Sequence, residues 1–134
     1  MRRALQAAGA VPKIVAPHGG SLKADGGGAL AVDFTLLTVG SVLFDAVFIP
    51  GGASSTSALA GDGAAVLFVR EAYKHCKAIA ASGTGLAVVE AAGMDAKDVL
   101  TRGEANGQLS AAFIKAIAQH RDWAREARAQ RVPA

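Results

Sequence analysis

Two apolar runs, each cut off by glycine, limit what this chain can fold into more than any other feature. Asp45-Ala46-Val47-Phe48-Ile49 stops at Pro50-Gly51-Gly52, and Lys77-Ala78-Ile79-Ala80-Ala81 stops at Ser82-Gly83-Thr84-Gly85. Neither run alternates apolar with polar residues, so neither strand has a solvent face. Short continuous apolar strands belong to parallel sheets covered by helices on both sides. Helical periodicity appears between them. Asp62 is placed to cap a helix running to about His75, with Val66, Val69, Tyr73 and Cys76 on one stripe. Residues 86–92 read as a helix closed by Gly93, and Val99-Leu100-Thr101 as a short strand. Residues 110–119 read as the last long helix, with Leu109, Phe113, Ala116 and Ile117 turned inward. Alternating strands and helices predict an α/β protein, a three-layer α/β/α sandwich with a mainly parallel sheet. With 134 residues, 51% of them hydrophobic and no internal repeats, the chain reads as one domain over residues 1–134.

The beginning departs from this scheme. Residues 3–8 read as a helix stopped by Gly9, and residues 13–17 as a buried strand. His18-Gly19-Gly20 is a turn. Residues 21–24 and 29–32 form a hairpin around Asp25-Gly26-Gly27-Gly28 at the edge of the fold. A doubly wound unit normally opens on a strand, and in the order 2-1-3-4-5 that strand lies inside the sheet. Without it the second and third strands stand about two strand spacings apart, ~9.6 Å, each with an unpaired edge. The expectation is a domain whose first strand is missing. Either the chain is an N-terminally truncated fragment of a longer protein, or another chain fills the gap.

Charge and cysteine content remove several function classes. There are 14 Lys and Arg against 11 Asp and Glu, and the whole excess falls in one segment. Lys115, Arg121, Arg125, Arg128 and Arg131 face only Asp122 and Glu126 there, which reads as a solvated helical tail. Trp123 is the one aromatic residue among them, and no nucleic-acid-binding motif accompanies them. The longest apolar run, residues 34–44, is too short for a membrane span, and no apolar leader follows Met1. Cys76 is the sole cysteine, so no disulfide framework exists. The expectation is a cytoplasmic protein with no nucleic-acid or membrane partner.

Candidate chemistry is sparse. Ser82 sits at a strand-to-helix corner of the kind that presents nucleophiles, but Ala80 stands where a Gly-x-Ser-x-Gly elbow needs its first glycine. His18, His75 and His120 are the possible bases, and no spacing selects one. Ser82 reads better as a turn residue or helix cap. Cys76 ends an apolar stripe, where inert buried thiols lie, although His75 and Lys77 flank it. Gly83-Thr84-Gly85 opens like a dinucleotide fingerprint that fails at Val88. The histidines and the cysteine have no metal-ligand spacing. Pro50-Gly51-Gly52 would leave backbone amides free at a strand's carboxyl end, where α/β sheets bind ligands.

Longer stretches carry a resemblance. Phe44-Asp45-Ala46-Val47-Phe48-Ile49-Pro50-Gly51-Gly52 resembles the strand and Pro-Gly-Gly corner of the DJ-1/PfpI family, within the class I glutamine amidotransferase-like superfamily. Glu71-Ala72-Tyr73-Lys74-His75-Cys76-Lys77-Ala78-Ile79-Ala80-Ala81 is similar to one branch of it, the C-terminal domain of large-subunit haem catalases. Phe113-Ile114-Lys115-Ala116-Ile117-Ala118-Gln119-His120-Arg121-Asp122-Trp123 resembles that domain's last helix, and Val132-Pro133-Ala134 its ending.

The resemblance implies a flavodoxin-like fold and a lost active site. The family's cysteine nucleophile, laid over residues 77–85, falls on Gly83, so no catalytic residue is expected. Pro50, Gly51, Gly52, Ser82, Gly83 and Gly85 would line a vestigial cleft. No cofactor-binding or metal site is implied in this chain. The haem of the parent catalase, with its Arg-x-x-x-Tyr iron ligand, would belong to another domain, since Tyr73 follows Arg70 by three residues instead of four. The implied role is a non-catalytic domain supporting assembly, stability or substrate access in a peroxide-dismutating enzyme. Its partners would be the catalase core domain or other copies of itself in a homo-oligomer. The alternative is a stand-alone DJ-1/PfpI-like enzyme, or a redox or chaperone protein, using Cys76.

Overall fold

The computed structural model describes residues 1–23, 27–102 and 107–133. Its centre is a parallel sheet of β5 (Ala46–Ile49), β6 (Ala78–Ser82) and β7 (Leu100–Arg102), in that order. Ile49 lies opposite Ala81, and Ala81 opposite Thr101. Helices α2 (Ala53–Ala60), α3 (Gly63–Lys74) and α4 (Leu86–Ala91) follow β5 and β6. Helices α1 (Arg2–Ala7) and α5 (Gly107–Ala118) pack on each other. The two sets cover opposite faces, because successive strand residues point to opposite sides. Ile79 and Ala81 pack with Val69, Tyr73, Val88 and Val89, whereas Ala78 and Ala80 pack with Leu5, Leu109 and Phe113. The small alanines of β6 let both helical layers approach closely, and all five of its residues are buried.

Local signals set most helix ends. The Asp62 carboxylate accepts from the Ala64 and Ala65 amides at 2.8 and 3.3 Å and fixes the start of α3. Gly9, at φ +85°, takes the left-handed conformation that stops α1. Helix α2 was not expected from the sequence. Its Ala-Ser-Ser-Thr-Ser-Ala-Leu-Ala run carries no apolar stripe, and Thr56 is its one buried residue. Packing against α3 and α4 holds it in place.

The amino-terminal third is less complete. The hairpin appears as β2 (Ser21–Lys23) and β3 (Ala29–Ala31), with residues 24–26 of its turn outside the described residues. The expected buried strand over residues 13–17 shrinks to β1 (Val15–Ala16), where only Ala16 is buried. Its partner is the unexpected β4 (Phe34–Thr35), which runs parallel to it. Phe34 continues through Phe44 to Phe68 of α3 in a chain of rings spaced 6.1 and 5.8 Å. Among the described residues β1 pairs only with β4, and β5 only with β6. The parallel sheet is therefore broken where the first strand of a doubly wound fold would lie. That break explains why Ala46, Val47 and Phe48 are only half-buried, beside the fully buried β6.

The basic tail corrects the sequence reading. Lys115, Arg128 and Arg131 are exposed as expected, but the tail is not solvated throughout. A 3-10 turn at Trp123–Arg125 leads into α6 (Glu126–Ala129), and Arg125 is only 1% exposed.

Candidate functional site: an occupied elbow and a buried clasp

The two glycine corners meet at the carboxyl end of the sheet, because β5 and β6 are adjacent and in register. Their approach is too close for side chains. A Cβ on Gly51 would stand 2.9 Å from the Ser82 carbonyl oxygen, and one on Gly85 would stand 2.7 Å from that of Ile49. Gly83 sits at φ +52°, the left-handed bend of an elbow with no side chain to present. The amides expected to lie free are used internally. Gly51 N–H donates to Ser82 Oγ at 3.2 Å, and Gly52 N–H to Thr84 Oγ1 at 3.0 Å. The Thr56 hydroxyl joins Thr84 Oγ1 at 3.1 Å and donates to the Gly52 carbonyl at 2.9 Å. Thr84 and Thr56, which sequence reasoning passed over, thus tie the corner from both sides. Their only signal was hydroxyl residues near four glycines.

No base reaches Ser82. His75 follows α3 at the amino end of β6, so four strand residues, about 13 Å, lie between it and the elbow. His18, His75 and His120 are all exposed, while Ser82 is buried.

Cys76 is also at the amino end of β6. It is 2% exposed, at φ +56°, and its carbonyl accepts from the Asp122 amide at 2.8 Å. Burial pushes the thiol up, with Glu126 and Asp122 adding to that effect and Arg125 opposing it. A nucleophilic thiol needs the opposite shift.

Among the described residues the buried charged side chains gather around this amino end. Lys77, 1% exposed, donates from Nζ to the Ser41 and Phe44 carbonyls, each at 2.6 Å. Burial and the nearby Arg121 charge push its pKa down, and Asp45 opposes them. Arg125 donates from Nη2 to the Lys77 carbonyl and from Nη1 to the Asp98 carbonyl at 3.1 Å, with its guanidinium 4.7 Å over the Tyr73 ring. Tyr73 donates its hydroxyl to Asp98 Oδ2 at 2.6 Å. Arg128 binds the same carboxylate through both oxygens, at 3.0 and 2.7 Å. Its hydrogen bonds hold the Asp98 carboxyl below its usual range, against the opposing effect of burial and with help from the Tyr73 hydroxyl. Burial, then the Asp98 contact, raises Tyr73 to about 12. This clasp fastens the carboxyl-terminal segment to the sheet and offers no free reactive atom. Sequence reasoning missed it because basic residues at helical spacing read as a wet surface.

The same geometry decides the haem question. The single tyrosine is committed to Asp98 beneath Arg125, so its oxygen cannot reach an iron, and the exposed histidines lie on separate elements. The residues present do not fit a haem. Among the described residues no three His, Cys, Asp or Glu side chains cluster as metal ligands. No helix there is long and apolar enough to cross a membrane.

Comparison with known proteins decides the family. Residues 1–127 match the C-terminal domain found in long catalases. The chain belongs to this family. Over 134 residues this catalase C-terminal domain is 35% identical to catalase HPII of Pseudomonas aeruginosa, covering 100% of the chain and 19% of that protein. It is 43% identical to catalase HPII of Mycobacterium avium, covering 94% of the chain and 20% of the relative. The domain thus spans about one fifth of the length of these relatives. Its fold is that of a ThiJ/PfpI domain protein from Brachyspira murdochii, with a TM-score of 0.74 at 18% identity over 88% of this chain and 86% of that one. A two-domain protein from Anabaena variabilis with DJ-1/ThiJ/PfpI-like and ferritin-like domains matches at TM-score 0.70 and 21% identity, over 88% and 42%. The flavodoxin-like α/β architecture expected from the sequence is shown by these likenesses.

Proposed function

We propose that this domain is a non-catalytic part of a large-subunit haem catalase, in which hydrogen peroxide is dismutated by a haem held elsewhere in the protein. It supports assembly, stability or substrate access there, packed against the catalase core or against other copies in a homo-oligomer. The setting is cytoplasmic, with no nucleic-acid or membrane partner. One observation carries the reading: the elbow holds Gly83, at φ +52°, where a reactive side chain would stand. The neighbouring groups support it. Ser82 and the Gly51 and Gly52 amides are tied to one another, and Cys76 is buried with a raised pKa. Pro50, Gly51, Gly52, Ser82, Gly83 and Gly85 are read as a vestigial cleft, and residues 1–134 as part of a longer protein.

The test uses the purified chain. Supplied with haem and hydrogen peroxide, it is expected to decompose no more peroxide than free haem does. Turnover of peroxide or of an α-oxoaldehyde that disappears in Cys76→Ser or Ser82→Ala would overturn the non-catalytic reading. Reading the DNA directly upstream for an in-frame haem-catalase barrel tests the parent separately.

A further inference from the structure

We infer that an open cleft at the amino end of β6 binds a small planar aromatic anion, with its ring against Trp123 and its charge between Lys74 and Arg121. The inference does not rest on the catalase reading. The cleft has a volume of about 380 Å³, and Cys76 and Lys77, both almost wholly buried, form its floor. Three separate segments wall it: Val42, the end of α3 at Lys74, and the stretch from Arg121 through Trp123 to Glu126. Sites for small ligands begin at ~300 Å³ and combine apolar walls with a few placed polar groups.

Trp123 selects the ring. It is the only tryptophan of the chain, and it is 66% exposed. A side chain of that size is normally buried over most of its surface. Its backbone is pinned on both sides. The Asp122 amide donates to the Cys76 carbonyl at 2.8 Å, and Arg125 is fixed to the Lys77 and Asp98 carbonyls. The indole therefore stands at the mouth of the cleft on a turn that cannot fold inward without breaking the clasp. A flat ligand stacking there meets a wall that is already placed, which lowers the ordering cost of binding. Val42 supplies a second exposed apolar surface.

The charges select the anion. Lys74, Arg121 and, in the floor, Lys77 stand against Glu126, the single carboxylate among the lining residues. Among the described residues no ion pair joins Glu126 to any of these cations. Lys74 has Glu71 only at 4.0 Å, the outer limit of an ion pair. Lys77 donates to carbonyls, which leave its charge uncancelled. Arg121 spends Nη1 on the His120 carbonyl and ring, which leaves Nε and Nη2 for a ligand. Cations gathered in a concave wall focus a positive potential that draws in anions. A neutral ring would leave that field unused, and an anion without a ring would leave the indole and Val42 wet.

The experiment follows the Trp123 indole N–H, a single resonance, by two-dimensional NMR of the 134-residue chain. The probes are benzoate and adenosine monophosphate, which carry the same chemistry with a carboxylate or a phosphate. At least one is expected to shift the indole and the Cys76 and Lys77 amides saturably, with a Kd below ~1 mM, and the tighter of the two identifies the anionic group. Cyclohexanecarboxylate and inorganic phosphate lack the aromatic ring, and benzyl alcohol and adenosine lack the charge. Each is expected to bind at least ~fivefold more weakly than its parent probe. Read at the Cys76 and Lys77 amides, Trp123→Leu and Arg121→Gln are each expected to weaken binding ~threefold or more, and Glu126→Gln to tighten it ~twofold. A damaged fold does not tighten binding, so the Glu126 variant keeps the test decisive if another variant unfolds. Absence of saturable shifts with both probes up to ~10 mM overturns the inference. So does a control that binds as well as its parent, or a Glu126→Gln protein that binds no more tightly than the unchanged chain.

Discussion

The two ends of β6 are built from opposite materials. At the carboxyl end, Gly51 and Gly85 press against the Ser82, Ile49 and Pro50 carbonyls, and the polar links are neutral bonds from amides or hydroxyls. At the amino end, Lys77, Arg125, Asp98 and Arg128 bring four charged side chains to one place, three of them almost wholly buried. In α/β proteins the carboxyl end is where chemistry is normally placed. Here the demanding electrostatics lie at the other end, and they serve attachment. Buried charges are destabilising unless every group finds a partner. Lys77 meets that demand with two carbonyls; Arg125 meets most of it with two carbonyls and an aromatic face, its buried Nε alone lacking a hydrogen-bond partner. The carboxyl end is closed by backbone and hydroxyl bonds, and the end that carries charge holds the domain's tail.

If that contrast is right, breaking the clasp is the most damaging single change. Arg125→Ala leaves the Lys77 and Asp98 carbonyls without their donor and opens a space beneath Tyr73. The expected loss is about 3–5 kcal/mol in urea unfolding. Arg125→Met, which keeps the stem but not the donors, is expected to recover only the packing share of it. A loss below ~1 kcal/mol for the alanine variant would mean that the tail is as solvated as its composition suggests.

The elbow is sensitive in a different way. Gly85→Ala places a methyl 2.7 Å from the Ile49 carbonyl oxygen and 3.2 Å from that of Pro50, neither of which can move without shifting β5. About 2–3 kcal/mol of destabilisation is expected from this overpacking. Gly83→Ala meets the strain of a left-handed φ of +52°, for which ~1–2 kcal/mol is expected. Thermal unfolding of the two variants side by side sharpens the comparison. Equal, near-zero shifts would show a loose corner instead of a packed one.

The contrast also explains what could be read from the residues beforehand. Strands β5 and β6, the cap at Asp62 and the stops at Gly9 and Gly93 were legible, because apolar runs, an acidic cap and left-handed glycines act through neighbours a few residues away. The sheet break was legible too, since it follows from topology. Helix α2 and strand β4 were not, because tertiary contacts define both. The Gly51 and Gly52 amides were expected free because their acceptors, Ser82 and Thr84, lie more than thirty residues away. The clasp was hidden for the same reason. Nothing near Arg125 in sequence announces that Lys77 and Asp98 await it 48 and 27 residues upstream.

The smallest effect isolates the clasp's one tyrosine. Tyr73 is the only tyrosine, so its phenolate absorbance titrates without interference. Its pKa lies at about 12 in the folded protein, against 10.0 for a free phenol. Between those values the folded state retains a proton that the unfolded state has released. The tyrosine's contribution to stability is therefore complete below pH ~10 and is lost as pH rises toward ~12, by about 1.4 kcal/mol near pH 11. Lys77 works in the opposite sense. Its pKa is lowered by burial, so the unfolded chain holds more protons in the window just below the ordinary lysine value, and stability rises with pH there. Tyr73→Phe separates the two. It should abolish the downturn between pH ~10 and ~12 while leaving the lysine rise in place, as read by urea midpoints on the two proteins. A phenolate midpoint near 10 in the native protein would mean that Asp98 and Arg125 do not enclose the ring, and the amino end of β6 would then be no more enclosed than a surface.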